Sequence, residues 1–104
     1  MIIYGLTTCD TCRKASKALE DITFVDVRAE GFPEGVLERA AETFGADLVN
    51  RRSATWRNLS EEERALPVVD LIRRHPAVMK RPLIQTGAGL HLGWSPQVRE
   101  ALGV

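Results

Sequence analysis

Ile2-Ile3-Tyr4-Gly5-Leu6-Thr7-Thr8-Cys9-Asp10-Thr11-Cys12-Arg13-Lys14-Ala15 passes from an apolar run, through a polar turn, into a segment with helical spacing. Residues 2–6 read as a short buried strand, and Thr7 and Thr8 as the turn out of it. From about Thr11 the apolar positions Ala15, Ala18, Leu19 and Ile22 predict a first helix over 11–20. Thr23-Phe24-Val25-Asp26-Val27 then has the β-branched composition of a strand. Strand, helix and strand within so few residues imply a parallel βαβ unit, because parallel neighbours need a crossover between them.

Beyond this unit the chain turns helical. Residues 28–31 read as a polar connector. Pro33 suits a helix's first turn, Val36, Leu37, Ala40, Ala41 and Phe44 line one face, and Gly45 ends it. Residues 48–56 lack a clear period and read as loop or partly helical. Ser60 with Glu63 has the form of a capping box, opening a brief helix that Pro67 interrupts. A further helix is expected over 68–75, with Val68, Val69, Leu71 and Ile72 inward, and Pro76 stops it. Leu83-Ile84-Gln85-Thr86, Gly87-Ala88-Gly89 and Leu90-His91-Leu92 read as a hairpin, and Ser95-Pro96 as the start of a last helix with Val98, Ala101 and Leu102 buried. The order β-α-β, several helices, β-β-α is an α/β, thioredoxin-like layout with helical material inserted at roughly 33–80. The whole of 1–104 is expected to be one domain.

Composition narrows the function classes. Fourteen basic and fourteen acidic residues cancel, so bulk charge points to neither nucleic acid nor membrane. The basic residues are nevertheless clustered: 50–57 holds three arginines and no acid, and Lys80-Arg81 follows later. Local basic sites in a neutral chain suit a small anionic ligand. No stretch is apolar enough to span a bilayer, and 1–4 is too short for a signal peptide, so a cytoplasmic location is expected.

Both cysteines of the chain lie in Cys9-Asp10-Thr11-Cys12. A helix start concentrates unpaired N–H groups and the positive end of the macrodipole, and both favour thiolate over thiol. Arg13 and Lys14 act in the same direction. Cys9, before the helix, is the candidate nucleophile, and Cys12, in its first turn, the candidate resolving thiol. In a reducing compartment a structural disulfide is disfavoured. His75 and His91 have no finger-like spacing, so no metal site is expected. His75 is expected to support a helix C-terminus, and His91, alternating with leucines, to face solvent.

Two basic sites carry open readings. In a thioredoxin-like frame Arg81-Pro82 passes near the N-terminal loop, where a cis proline is favoured. Arg81 would then hold an oxyanion or thiolate, against the plainer reading of a loop arginine before a strand. Arg51, Arg52 and Arg57 either line a pocket or partner surface or form a solvated face. Trp56 and Trp94 read as core.

Tyr4-Gly5 with Cys9-Asp10-Thr11-Cys12-Arg13-Lys14-Ala15, Asn50-Arg51-Arg52-Ser53 with Trp56 and Leu59, and Lys80-Arg81-Pro82-Leu83-Ile84 with Leu92-Gly93-Trp94 resemble the arsenate reductase-like family, which includes the Spx regulators and small thiol reductases. The resemblance spans nearly the whole chain. It implies a thioredoxin-like fold with a helical insertion, and a reaction in which the Cys9 thiolate attacks an oxyanion or disulfide. The adduct is resolved by Cys12 or an external thiol. Candidate oxyanion contacts are Thr8, Thr11, Arg13, Arg52 and Arg81, with Pro82 a structural neighbour. No bound cofactor is implied; glutathione or a thioredoxin- or glutaredoxin-type protein is the expected electron donor.

Two departures from the arsenate reductases stand out. Trp94 falls at or near the place of a further arginine, and Cys12 replaces a serine. Losing one charge-assisted contact to an oxyanion costs about 1.5–3 kcal/mol, which disfavours arsenate itself. Cys12 instead matches the redox pair of the Spx regulators, which bind RNA polymerase. The resemblance therefore implies a cytoplasmic thiol–disulfide oxidoreductase or, as the alternative, a redox-sensing transcriptional regulator.

Overall fold

Asp10–Ala18 forms α1 between two parallel strands, β1 at Ile2–Gly5 and β2 at Thr23–Asp26. The computed structural model describes residues 1–104. After the insertion, β3 at Leu83–Thr86 pairs antiparallel with β1, and β4 at Gly89–Leu92 pairs antiparallel with β3. The sheet order is β2-β1-β3-β4. This is the β-α-β … β-β-α, thioredoxin-like arrangement the element order implies. The chain divides into two compact units, one of residues 1–30 with 81–104 and one of 31–80.

The period-2 alternation of strands decides which residues α1 covers. Ile3 stands opposite Phe24 on one side and Ile84 on the other, so these three share a face. Ile3, Ala15, Leu19 and Ile84 make its buried cluster, with Ile22, Phe24, Trp94 and Leu102 packed around it. Burying each large aliphatic side chain contributes about 1.5–3 kcal/mol. α1 begins one residue earlier than its spacing predicts and ends two earlier, because Leu19 is already extended and Asp21 adopts φ 53°. The last helix, α6 at Pro96–Ala101, is capped by the Ser95 hydroxyl, which accepts from the Val98 amide at 3.3 Å. Val98 and Leu102 are half-buried, but Ala101 is exposed rather than buried, since the helix ends there. His91 lies opposite Ile84 and is half-buried on the α1 side, not turned to solvent. Strand alternation had suggested otherwise because Leu90 and Leu92 occupy the other face.

The 31–80 unit is helical. α2 spans Val36–Phe44 with Val36, Leu37 and Ala40 buried. Pro33 precedes this helix instead of sitting in its first turn: Gly35 at φ 82° intervenes, and the Pro33 carbonyl accepts from Val36 in a turn. A 3-10 turn at Gly45–Leu48 leads to short helices α3 (Ala54–Arg57) and α4 (Glu61–Arg64), then α5 (Val68–Arg74), with a 3-10 turn at Pro76–Val78. Val49 bridges Met79, a pairing that 48–56 gave no sign of. The Ser60–Glu63 box is half formed. Ser60 accepts from the Glu63 amide at 3.2 Å, while the Glu63 carboxylate pairs with His75, the C-cap of α5. No helix is long and apolar enough to cross a membrane.

Candidate functional site

The turn between β1 and α1 sets the position of the first sulfur. The Cys9 amide donates to the Leu6 carbonyl at 3.0 Å, closing a turn with Thr7 and Thr8 at its centre. Cys9 has the extended backbone of an N-cap residue (φ −89°, ψ 120°), and its carbonyl accepts from the Arg13 amide at 3.0 Å. Its side chain is partly exposed, whereas Cys12, in the first turn, is fully buried. Both thiols are free.

The two sulfurs are shifted in opposite directions. Partial burial pushes the Cys9 thiol up. The backbone N–H and thiol of Cys12, together with the hydrogen bonding and charge of Arg81, outweigh it and leave Cys9 below the ordinary thiol range. For Cys12 burial dominates. With the neighbouring Cys9 adding to it, the thiol is pushed up to about 12. One thiol is thus poised to ionise and its neighbour to remain protonated.

Arg81 reaches this site through the bend before β3. The Arg81-Pro82 peptide is cis, Pro82 is buried, and its carbonyl accepts from the Gly93 amide at 2.8 Å. The structure therefore brings Cys9, Cys12 and Arg81 together, with Pro82 next to Arg81 in the chain. Thr8, Thr11 and Arg13 lie exposed on the same loop and first turn, and the Arg13 guanidinium pairs with Asp10.

Arg52 belongs to the 31–80 unit. There it lines, with Asn50, Arg51, Lys80 and Asp47, an open cleft of about 570 Å³. Its amide donates to Asn50 Oδ1 at 3.0 Å, and its carbonyl accepts from the Arg57 guanidinium at 2.7 Å. Trp56 is half-buried, with the guanidiniums of Arg51 and Arg64 over its ring at 5.5 and 5.3 Å from the centroid, and is not part of the fully buried core. Trp94 does pack against the core, with Arg99 over its ring at 5.9 Å.

Two residues of the site were given no role of their own from sequence. Gly5 leaves the space that the Cys12 sulfur fills. Asp26, at the end of β2, accepts through Oδ2 from both the amide and the hydroxyl of Thr7, each at 3.0 Å. A glycine at a strand end and an aspartate before a polar connector were the available signals.

The chain is similar to known proteins along its whole length. It is 33% identical to an uncharacterised protein of Haemophilus influenzae, covering 95% of each chain. It is 28% identical to the global transcriptional regulator Spx of Bacillus subtilis, covering 89% of this chain and 79% of that one. Among solved structures it resembles the YffB protein, with TM-score 0.86 and 28% identity over 99% of this chain and 98% of the other. An arsenate reductase-related protein from Brucella melitensis follows at TM-score 0.71 and 34% identity, over 96% and 91%. Such neighbours support a thiol reductase-like role. The model of the ArsC family matches residues 4–102, nearly the full span over which the cysteine loop, the Arg81-Pro82 bend and the closing helix succeed one another, and the chain belongs to that family.

Proposed function

We propose that this protein is a small thiol–disulfide oxidoreductase, with Cys9 as nucleophile and Cys12 as resolving thiol. The observation that carries the reading is the divergence of the two sulfurs: Cys9 lowered at the mouth of α1 beside Arg81, Cys12 buried and pushed up to about 12. The Cys9 thiolate attacks one sulfur of a disulfide substrate, forming a mixed disulfide and releasing the other half as a thiolate. Capping Cys9 removes the negative charge that helps to hold the Cys12 proton, while Arg81 remains. Cys12 then loses its proton and displaces the bound half, leaving a Cys9–Cys12 disulfide. Two equivalents of glutathione, or one dithiol protein of the thioredoxin or glutaredoxin type, restore the pair and are themselves oxidised. Arg81, with Arg13, Thr8 and Thr11 as further candidate contacts, would hold an anionic substrate. The reaction fits a reducing compartment, the cytoplasm.

The test uses the reduced protein and hydroxyethyl disulfide. Cys12→Ser should accumulate a mixed disulfide on Cys9, visible by mass, and Cys9→Ser should lose turnover. A Cys9→Ser variant with full activity excludes the mechanism.

A second reading, a redox-sensing regulator that binds RNA polymerase, draws on the Spx relative. Capture of polymerase from lysate by the reduced or the oxidised protein alone supports it; no capture in either state supports the enzyme.

A further inference from the structure

Asp26 accepts four hydrogen bonds from neutral donors, divided between its two oxygens. Oδ1 takes the amides of Arg28 and Ala29 at 2.9 and 3.1 Å, a local turn beyond β2. Oδ2 takes the amide and hydroxyl of Thr7, nineteen residues away, each at 3.0 Å. A local turn needs only the first pair. The second pair ties the end of β2 to the loop that carries the nucleophile.

Thr7 is a central residue of the turn that the Cys9 amide closes onto Leu6. Holding its amide and its side chain on one oxygen fixes that turn from outside. Below it the turn rests on β1, where the Val27 amide donates to the Gly5 carbonyl at 2.9 Å. The sulfur of Cys9 gains its anion-stabilising environment from Cys12, through its amide and its thiol, and from Arg81, both of which act only at close range. A turn free to shift by an ångström would carry the sulfur away from both.

We infer that Asp26 is a positioning residue for the thiol chemistry, acting through Thr7 to hold Cys9 at the mouth of α1. The inference rests on Cys9 being the nucleophile.

Its sign separates it from a simple charge effect. Removing a carboxylate near a thiol by charge alone makes the thiol easier to ionise. Loss of positioning makes it harder. Asp26→Asn is the decisive variant: its oxygen can keep the Arg28 and Ala29 amides, but its NH₂ then faces the Thr7 donors. Thr7→Val removes the hydroxyl alone, and Thr7→Ser retains it. The experiment follows the pH dependence of iodoacetamide alkylation at Cys9, site by site by mass spectrometry, with circular dichroism to confirm the fold.

Asp26→Asn should raise the Cys9 midpoint by about one pH unit, a tenfold loss of thiolate at pH well below it. Thr7→Val should raise it less, and Thr7→Ser should match the unchanged protein. A midpoint that is unmoved or lowered in Asp26→Asn overturns the inference, and should that variant fail to fold, an unmoved midpoint in Thr7→Val does so. If the unsubstituted protein already titrates at the free-thiol value of about 8.5, it is the nucleophile reading that fails, a result distinct from the other two.

Discussion

A Cβ added to Gly5 would stand 2.4 Å from the Cys12 sulfur and 3.3 Å from its Cβ. The glycine therefore serves the second thiol: only a residue without a side chain lets α1 seat Cys12 against β1. Gly5→Ala forces α1 outward or Cys12 off its rotamer, and overpacking of this kind costs about 1–3 kcal/mol. Urea unfolding should show that loss, and Cys12→Ala in the same chain should recover part of it. Additive losses in the double variant would mean that the two positions are not in contact.

The opposite displacement of the two thiols predicts a wide window of selective chemistry. As pH rises, Cys9 passes through its lowered value first, and its alkylation rate climbs and levels off while Cys12, held near 12, is still protonated. Between pH 6 and pH 9, on the order of the ordinary thiol range, peptide mapping should find label on Cys9 alone. Equal labelling at both positions in the folded protein would contradict the asymmetry.

Arg81 lowers Cys9 both as a hydrogen-bond donor and as a charge. Arg81→Met should raise the Cys9 value by about one unit, the lower end of what an adjacent opposite charge does. At pH well below both values the thiolate fraction then falls about tenfold, but a more basic thiolate is also more nucleophilic, with a Brønsted coefficient of about 0.4–0.5. The net loss in alkylation rate is about three- to fourfold. Above both values, where each protein is fully ionised, the variant should be about threefold faster. The two rate–pH curves must therefore cross. Parallel curves would assign Arg81 a role other than stabilising the thiolate.

Most of the architecture was readable because each element carries its own local signal. The β-branched runs at 2–6 and 23–27, the helical spacing from Ala15 to Ile22 and the hairpin glycines gave the sheet and its crossover. The Ser95 and Ser60 caps were likewise local. What escaped depends on contacts between residues far apart in the chain. The Asp26–Thr7 clamp, the Val49–Met79 bridge and the fit of Gly5 to Cys12 have no periodicity to announce them. Trp56 departs from a core reading for a related reason. Its ring is large enough for a core, but the arginines that lie over it come from positions five residues before and eight after it.

Those two arginines share one ring yet should differ in worth. Arg51 is exposed and lies over Trp56 at 5.5 Å, a surface cation–π contact of about 0.5–1 kcal/mol. Arg64 lies over the same ring at 5.3 Å and also donates to the Trp56 carbonyl through Nε and Nη2, at 3.2 and 3.1 Å, and to the Arg57 carbonyl at 3.0 Å. Those carbonyls lie at the C-terminal end of α3, where the Trp56 carbonyl also accepts from the Leu59 amide at 3.1 Å. Charged donors add about 1.5–3 kcal/mol per satisfied group in favourable settings, less at an exposed site. Arg64→Ala should therefore lower stability by about 1–2 kcal/mol, and Arg51→Ala by no more than about half of that. Urea unfolding of the two variants gives the comparison directly. Equal losses would reduce Arg64 to a stacking partner.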